Sequence, residues 1–438
     1  MSLTPPHPAL GVQDFVSTLL SYPSSLPFRS LADLANVEAH KSYYVNAPVL
    51  HSATTICGVI TVYVYVMQMI TGNASQVDGL WTFLPLVYSG HFTFHKAISH
   101  WLAPPSKVTS IFRASAAPNT IWDLIEPRLA LMFFLQVCWS ARLTFNAHRR
   151  GMFKKGEEDY RWPLLRAGMS PLLWHIFSIV FIAVIQNILL AATALPQYQI
   201  LSTTFTKYNN AAVPSLPSRL VPGDFVIASL LLINLALQFG ADHEQWVYQN
   251  FKRGKDYYGR PLTGSVGGTT SLTVPSSSKS TAADGTVSAV RGNNALGYTP
   301  ADAQRGFVTK GLWAFSRHPN FACEQATWWI LWLYVPLTFL PSHPAVAEWR
   351  YVVTYALASP LIMNALFIAS TLYSEAVSAE KYPAYAAYQR RVGMFLPLPD
   401  TLVRTIYYRL FASKEARAKT EADVWGTPVS GVKSAKAQ

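Results

Sequence analysis

The stretch WAFSRHPNFACEQATWWILWLYVP, residues 313–336, joins a charged edge to an apolar run that is rich in tryptophan. Arg317, His318 and Glu324 stand where a membrane-spanning helix is predicted to begin. Charges at this depth are costly unless they find a partner or serve a function. The stretch therefore predicts a helical membrane protein that has a functional site at one end of a helix.

The composition of the whole chain agrees with this prediction. Of 438 residues, 50% are hydrophobic and only 13% are charged, against about 25% charged residues in soluble domains. The formal net charge of +12 suits an anionic ligand or lipid headgroups. We expect no nucleic-acid partner, because no zinc-finger spacing or separate basic helix occurs. The first residues lack the pattern of a cleaved signal peptide, so the first spanning helix is expected to serve as the targeting signal.

Apolar segments long enough to cross a bilayer recur along the chain, and such a crossing takes about 20 helical residues. The candidate spans are 48–70, 79–98, 127–146, 171–195, 223–240, 322–340 and 350–373. The second span is the weakest, since it contains His91, His95 and Lys96. We predict an all-α fold, a polytopic transmembrane bundle of six or seven spans.

Basic residues concentrate in 146–166, in 252–317 and after residue 380, which predicts that these segments face the cytoplasm. Within the second segment, 254–305 is rich in Gly, Ser and Thr and is predicted to be a flexible cytoplasmic insertion. The predicted organisation is an N-terminal extension (1–47), N-terminal transmembrane helices (48–120), a second transmembrane domain (121–397) and a basic tail (398–438).

Pro319 suits the first position of a helix, so we predict that the helix of the opening stretch begins there. Its free backbone N–H groups, with Arg317 and His318 beside them, would form an anion site suited to phosphate or pyrophosphate. Glu324 lies further inside and needs a buried partner. A plainer interpretation is that Arg317 reaches the lipid headgroups and His318 only caps the helix.

A second polar stretch, YSEAVSAEKYPAYAAYQRRVGMFLP (373–397), follows the last predicted span. Glu375 lies at the end of that span, Tyr385 and Tyr388 share one helix face, and Arg391 follows them. A tyrosine stripe often serves packing or an interfacial belt. Its predicted position on the same side of the membrane as the opening stretch favours a shared functional site.

These two stretches together resemble the C-terminal part of the steroid 5α-reductase superfamily. The nearest resemblance is to the membrane branch that has a steroid 5α-reductase-like C-terminal domain. Two upstream stretches are similar to signatures of that branch, ARLTFNAHRRGMFKKGEEDYRW (141–162) and ADHEQWVYQNFK (241–252). The matches extend over about 120–397 in the family order, so the second domain is expected to be reductase-like.

The resemblance implies a multi-pass reductase of the endoplasmic reticulum membrane. Such an enzyme binds NADPH in a cytoplasm-facing cavity and reduces an activated C=C bond of a lipid-like or sterol-like substrate. The cofactor-binding residues carried over are Asp242, Lys252, Arg317, His318, Asn320, Glu324, Tyr385, Tyr388 and Arg391. Glu375, Arg142, Asn146, Asp159 and Arg161 complete the predicted set, although the last four equally suit a structural ion network.

A dinucleotide favours several Arg or Lys side chains and helix N-termini, and no GxGxxG motif is needed in a helical cofactor site. The predicted catalytic groups, which would protonate or polarise the substrate, are Tyr385, Tyr388 and Glu158. Two positions depart from the family pattern. Gln238 stands where the branch usually has glutamate, and Phe321 stands where tyrosine is common.

Three alternatives stay open at this point. A methyltransferase of the isoprenylcysteine carboxyl type shares the Arg-His-Pro string and would bind S-adenosylmethionine. A di-iron lipid enzyme could use His91 and His95, but such a site needs more histidines, and no metal is predicted. A non-catalytic protein could keep the same fold. The sequence names neither the substrate nor the oligomeric state.

Overall fold

The computed structural model describes residues 11–27, 30–103, 120–159, 161–209, 219–255, 297–298, 300–339 and 352–426. Within these residues the regular secondary structure is helical. Most of the predicted insertion at 254–305 lies outside the described residues, as do 1–10 and 427–438.

In chain order the first half forms α1 (Val12–Leu20), α2 (Tyr22–Ser25), α3 (Val37–Asn46), α4 (Val49–Thr71), α5 (Gln76–Leu80), α6 (Leu84–Leu102), α7 (Pro127–Arg149), α8 (Arg161–Ala167), α9 (Pro171–Ala192) and α10 (Leu195–Asn209). The second half forms α11 (Pro222–Lys252), α12 (Pro300–Arg305), α13 (Pro319–Trp332), α14 (Tyr334–Phe339), α15 (Tyr355–Lys381), α16 (Tyr385–Arg391), α17 (Leu402–Phe411) and α18 (Lys414–Trp425). Many of these helices begin at proline, which has no N–H to leave unpaired at a first position.

Among the described residues, five helices are long and apolar enough to cross a membrane, namely α4, α7, α9, α11 and α15. Large apolar side chains such as Val59 and Ile233 are exposed on them, as expected of lipid-facing surfaces. The all-α, polytopic prediction is confirmed, and five of the seven predicted spans qualify among the described residues. The difference arises at α6, which is too polar, and at α13, which ends before Leu333.

The described chain forms two compact units. Unit 1 comprises 1–233 and 327–365, and unit 2 comprises 234–326 and 366–438. Helices α11, α13 and α15 each contribute residues to both units.

A polar helix, α6, lies at the centre of unit 1 and packs against α3, α4, α7 and α10. The Nε2 atom of Gln197 on α10 donates to Oε1 of Gln136 (2.8 Å) and to Oγ of Ser89 (3.4 Å). These hydrogen bonds join polar side chains of α6, α7 and α10 inside the unit, while Gln136 Nε2 and Gln197 Oε1 have no partner among the described residues. The same contacts explain a helix at α10, in a region predicted only as a connection.

A closed ion pair joins the beginnings of α7 and α11 in unit 1. Arg128 forks onto Asp224, with Nε–Oδ1 at 2.6 Å and Nη2–Oδ2 at 2.9 Å. The third guanidinium nitrogen donates to Thr338, and Asp224 also accepts from the N–H of Val221, just before α11 begins. Both charged side chains are buried, so this pair is a fully satisfied structural feature.

Unit 2 has an aromatic core. One cluster comprises Tyr385, Ala387, Tyr388, Val392 and Val424, with Phe307, Tyr382 and Trp425 packed against it. A second comprises Tyr248, Tyr298, Val308 and Trp313. These clusters hold α16 and the segment before α13 in fixed positions, and the predicted site residues of the C-terminal stretches lie in this unit.

Candidate functional site

The backbone before α13 pairs with the loop after α16. The N–H of Arg317 donates to the carbonyl of Gly393 (2.9 Å), and the N–H of His318 donates to that of Met394 (3.0 Å). Pro319 disfavours helical angles at the residue before it, so the helix does not extend back to His318. The prediction that the helix begins at Pro319 is therefore confirmed.

The guanidinium of Arg317 forms a bidentate ion pair with Glu375 near the end of α15. Nε lies 2.6 Å from Oε1, and Nη2 lies 3.0 Å from Oε2. Nη1 donates to the backbone carbonyls of Gln389 and Val392. Arg317 is buried, and most of its N–H donors are taken by these partners. The two polar stretches singled out in the sequence thus meet, and Arg317 binds a carboxylate and carbonyls of the protein.

More donors converge on the same carboxylate. His318 Nε2 lies 2.9 Å from Glu375 Oε1, Gln389 Nε2 donates to Oε2 at 3.0 Å, and Tyr385 donates to Oε1 at 3.3 Å. Glu375 is buried near the end of a spanning helix, where an ionised carboxylate needs such compensation. We call Arg317, His318, Glu375, Tyr385 and Gln389 the Glu375 cluster.

The two predicted tyrosines keep their protons. Tyr388 donates to the carbonyl of Trp313 at 2.5 Å and is buried among aromatic rings. Burial raises the pKa of Tyr388 well above its usual range. Burial also raises the pKa of Tyr385, and the charge of the nearby Glu375 adds to this effect. Both phenols act as hydrogen-bond donors that fix α16 to its surroundings.

A stripe of polar side chains lines the inner face of α11 opposite α13. Gln238 Nε2 donates to Glu324 Oε2 at 2.6 Å, and Asn320 Nδ2 donates to Asp242 Oδ1 at 3.2 Å. Gln238, Asp242 and Gln245 fall at i, i+4 and i+7, so they share one helix face. The side-chain carbonyl oxygens of Gln238 and Gln245 are buried and have no hydrogen-bond partner among the described residues. We call Gln238, Asp242 and Gln245 the acceptor stripe.

Lys252, at the end of α11, contacts a tyrosine that sequence reasoning missed. Its Nζ lies 2.8 Å from the hydroxyl of Tyr382 and 2.7 Å from the carbonyl of Gly306. Burial acts to raise the pKa of Tyr382, but the hydrogen bond and charge of Lys252 outweigh it, so the pKa is lowered. A signal was present in the sequence, since Tyr382 directly precedes Pro383 and lies three residues before Tyr385.

Arg391 closes α16 and contacts the C-terminal helices. Its Nε lies 3.3 Å from Glu421, which is about half exposed, and its Nη1 donates to Thr405 on α17. The Nη2 group makes no hydrogen bond within the described residues. Arg391 is thus less fully engaged than Arg317.

The predicted residues of 141–162 lie in unit 1, away from the Glu375 cluster in sequence. Glu158 accepts from Arg166 (2.6 Å) and from the N–H of Ala74 (2.8 Å). Asp159 pairs with Arg161 at 2.7 Å. Burial acts to raise the pKa of Asp159, but the hydrogen bonds and charge of Arg161 outweigh it and lower the pKa.

The other two residues predicted in this region lie on α7. Asn146 is buried and accepts from Arg149 Nε at 3.0 Å, and Arg142 is half-buried. In unit 1, Glu158, Asp159 and Arg161 therefore take part in contacts that fasten the segment between α7 and α8.

The histidines considered for iron also belong to unit 1. The rings of His91 and His95 are 5.3 Å apart, and His91 lies 3.0 Å from the hydroxyl of Ser52. No group of three or more His, Cys, Asp or Glu side chains suited to a metal occurs in the described part of the chain.

Comparison with known proteins places the chain among little-characterised relatives. The profile of a family described as "Protein of unknown function (DUF1295)" matches residues 64–392. The uncharacterized protein C594.04c of Schizosaccharomyces pombe is 28% identical over 330 residues, which cover 75% of this chain and 74% of that protein. No solved structure matches the chain.

Proposed function

We propose, from the premise that the chain belongs to the DUF1295 family, that it is a membrane reductase of the steroid 5α-reductase type. Its substrate would carry an activated C=C bond on a lipid-like or sterol-like molecule, and its cofactor would be NADPH. We further propose the endoplasmic reticulum membrane as its location. The family match and the five candidate spans support a multi-pass membrane protein, and the polar side chains of unit 2 support the choice of cofactor.

The observation that carries the proposal is the acceptor stripe. Buried carbonyl oxygens without partners, set beside the carboxyl groups of Asp242 and Glu324, are costly in a membrane-spanning helix. A ligand rich in hydroxyl and amide donors would satisfy them. The ribose hydroxyls and the carboxamide of NADPH are groups of this kind.

The phosphate groups of NADPH require cationic side chains. The arginines of unit 2 differ in how many of their N–H groups remain available for a phosphate. Arg317 is committed to Glu375 and to two backbone carbonyls, so it would act as a positioning residue. Arg391 donates to Thr405, lies over the ring of Trp425 and pairs with a half-exposed carboxylate, and its Nη2 makes no hydrogen bond within the described residues. We therefore assign the phosphate contact to Arg391, with the Glu375 cluster holding α16 in place.

Bound NADPH would supply a hydride to the β-carbon of the activated double bond. A proton must then reach the neighbouring carbon. Of the three phenols near α16, Tyr382 is the best suited to give one up, since Lys252 stabilises its phenolate form. Tyr385 and Tyr388 would keep their protons and orient the segment around it.

Direct binding of NADPH to purified chain in nanodiscs tests the proposal. Energy transfer from tryptophan to the bound nicotinamide reports the dissociation constant. Gln245→Met removes one buried acceptor of the stripe and should weaken binding about tenfold. Gln68→Met is the matched control, because Gln68 in unit 1 also has a buried side-chain oxygen without a partner.

The control variant should bind NADPH as tightly as the parent chain. Tight binding of S-adenosylmethionine in place of NADPH would contradict the reductase proposal and favour a methyltransferase. Binding of neither molecule would favour a non-catalytic protein.

A further inference from the structure

Helix α17 (Leu402–Phe411) exposes its apolar side chains and turns its polar side chains toward the protein, which is the opposite of the pattern expected at a water-facing surface. Its large apolar side chains point away from the protein and are between 46% and 72% exposed. They are Leu402, Val403, Ile406, Tyr407, Leu410 and Phe411. At 100° per residue these positions cover one continuous half of the helix.

The polar side chains of α17 occupy the opposite half and contact the protein. Arg404 donates from Nε to Asp400 (2.5 Å) and from Nη1 to the carbonyl of Gln389 (2.9 Å). Thr405 donates to the carbonyl of Thr401 and accepts from Arg391. The helix is therefore attached to unit 2 through its polar half, which leaves an uninterrupted apolar half uncovered in the described chain.

We propose that the apolar half of α17 lies in the bilayer surface, at the boundary between acyl chains and headgroups. A bilayer is close to α17 along the chain. Helix α15 is a candidate membrane span, and it ends at Lys381, about twenty residues before α17 begins. The exposed Arg409 borders the apolar half and Tyr407 lies within it, as is typical of helices at headgroup level. Leu396 and Leu398, in the segment before α17, are exposed too.

This placement has a structural consequence for the Glu375 cluster. The polar half of α17 binds the carbonyl of Gln389 and the side chain of Arg391. Gln389 and Val392 in turn supply the carbonyls that Arg317 contacts. A bilayer that holds α17 in place would thus also restrict the movement of Gln389, which belongs to the cluster. This inference does not depend on the reductase proposal, because it concerns only the contacts of α17.

Spin labels on the full chain in phosphatidylcholine nanodiscs test the placement. The free cysteines Cys57, Cys138 and Cys323 are first replaced by serine. Single labels are then introduced by Ile406→Cys or Leu410→Cys on the apolar half, and by Glu415→Cys as an exposed control on α18. These side chains are exposed, so the substitutions should leave the fold unchanged. Accessibility to oxygen, which concentrates in lipid, is compared with accessibility to a water-soluble nickel chelate.

We expect both labels on α17 to collide readily with oxygen and to collide with the nickel chelate several-fold less often than the Glu415 label. Equal nickel accessibility at all three positions would mean that α17 faces water, and it would overturn the inference. Protection from both reagents, together with dipolar broadening between labels, would mean that a second copy of the chain covers the helix. That result would overturn the inference as well.

Discussion

Two buried, bidentate arginine–carboxylate pairs of the described residues, one in each unit, have the same geometry but different surroundings. In unit 1, Arg128 forks onto Asp224, and the remaining partners are a threonine hydroxyl and a backbone N–H. In unit 2, Arg317 forks onto Glu375, but this carboxylate also binds a histidine, a glutamine and a tyrosine. The contacts of the first pair indicate a structural role, which is to join the beginnings of two helices. The second gathers titratable side chains from α15, α16 and the segment before α13, which is the arrangement expected near a functional site.

The comparison predicts the largest loss of stability at the unit 1 pair. Asp224→Asn leaves Arg128 buried with only Thr338 as a strong remaining partner, so the free energy of unfolding should fall by about 3–5 kcal/mol. Unfolding in mixed micelles by titration with dodecyl sulfate measures this change. The double variant Arg128→Met/Asp224→Asn removes the stranded charge and should recover most of the loss. A loss under about 1 kcal/mol in the single variant would contradict a structural role for the pair.

Glu375→Gln should cost less stability, about 2–3 kcal/mol, because Arg317 keeps the carbonyls of Gln389 and Val392. Unlike the unit 1 variant, it should also weaken NADPH binding, since it loosens the segment that carries Arg391. The same micelle titration and the nanodisc binding measurement give both values. Loss of stability with unchanged binding would place the Glu375 cluster in the same structural role as the Arg128 pair.

The two tyrosines of α16 sharpen the comparison within unit 2. Tyr388→Phe leaves the carbonyl of Trp313 without its buried partner and should lower the free energy of unfolding by about 1–2 kcal/mol. Tyr385→Phe removes only a 3.3 Å contact to Glu375, which retains its other donors, and should cost less than about 1 kcal/mol. If Tyr385→Phe lowered the free energy of unfolding more than Tyr388→Phe under the same conditions, the hydroxyl of Tyr388 would not be the one that fixes α16.

The smallest effect is expected at the half-exposed pair of Asp159 and Arg161 in unit 1. The pKa of Asp159 is lower in the folded chain than in the unfolded chain, where it is about 3.9. Its stabilising contribution is therefore present above pH 4 or so and is lost as the pH falls through the lowered value. Asp159→Asn should reduce the acid sensitivity of unfolding, with Glu157→Gln as a neighbouring control that leaves it unchanged. An unchanged pH profile in the first variant would mean that this pair does not contribute.

Much of the fold could be predicted because apolar runs and prolines act locally. The spans corresponding to α4, α7, α9, α11 and α15 follow from length and composition, and Pro319 fixes the beginning of α13. The interruption near Leu333 and the buried polar packing of α6 were not predictable. The packing of α6 depends on neighbours such as Gln197, which is distant along the chain from Ser89.

The candidate site could be predicted only in part, for a related reason. The sequence identified Arg317 and Glu375 separately, but their pairing joins positions 58 residues apart. The sequence predicted both residues as part of the site but did not show that the guanidinium of Arg317 would pair with Glu375. Tyr382 was missed because its distinguishing feature, the contact with Lys252, spans 130 residues of sequence. The i, i+4, i+7 spacing of Gln238, Asp242 and Gln245 was readable, although the unpartnered oxygens were not.

Hydride transfer is the most direct test of the central claim. Membranes from cells that overproduce the chain, and matched membranes that lack it, are supplied with NADPH deuterated at the transferable position, and their lipids are analysed by mass spectrometry. We predict that one lipid species gains a single deuterium together with saturation of one double bond, and that Tyr382→Phe lowers this product by about 10²-fold or more. Identical lipid labelling in the presence and absence of the chain would contradict the reductase account.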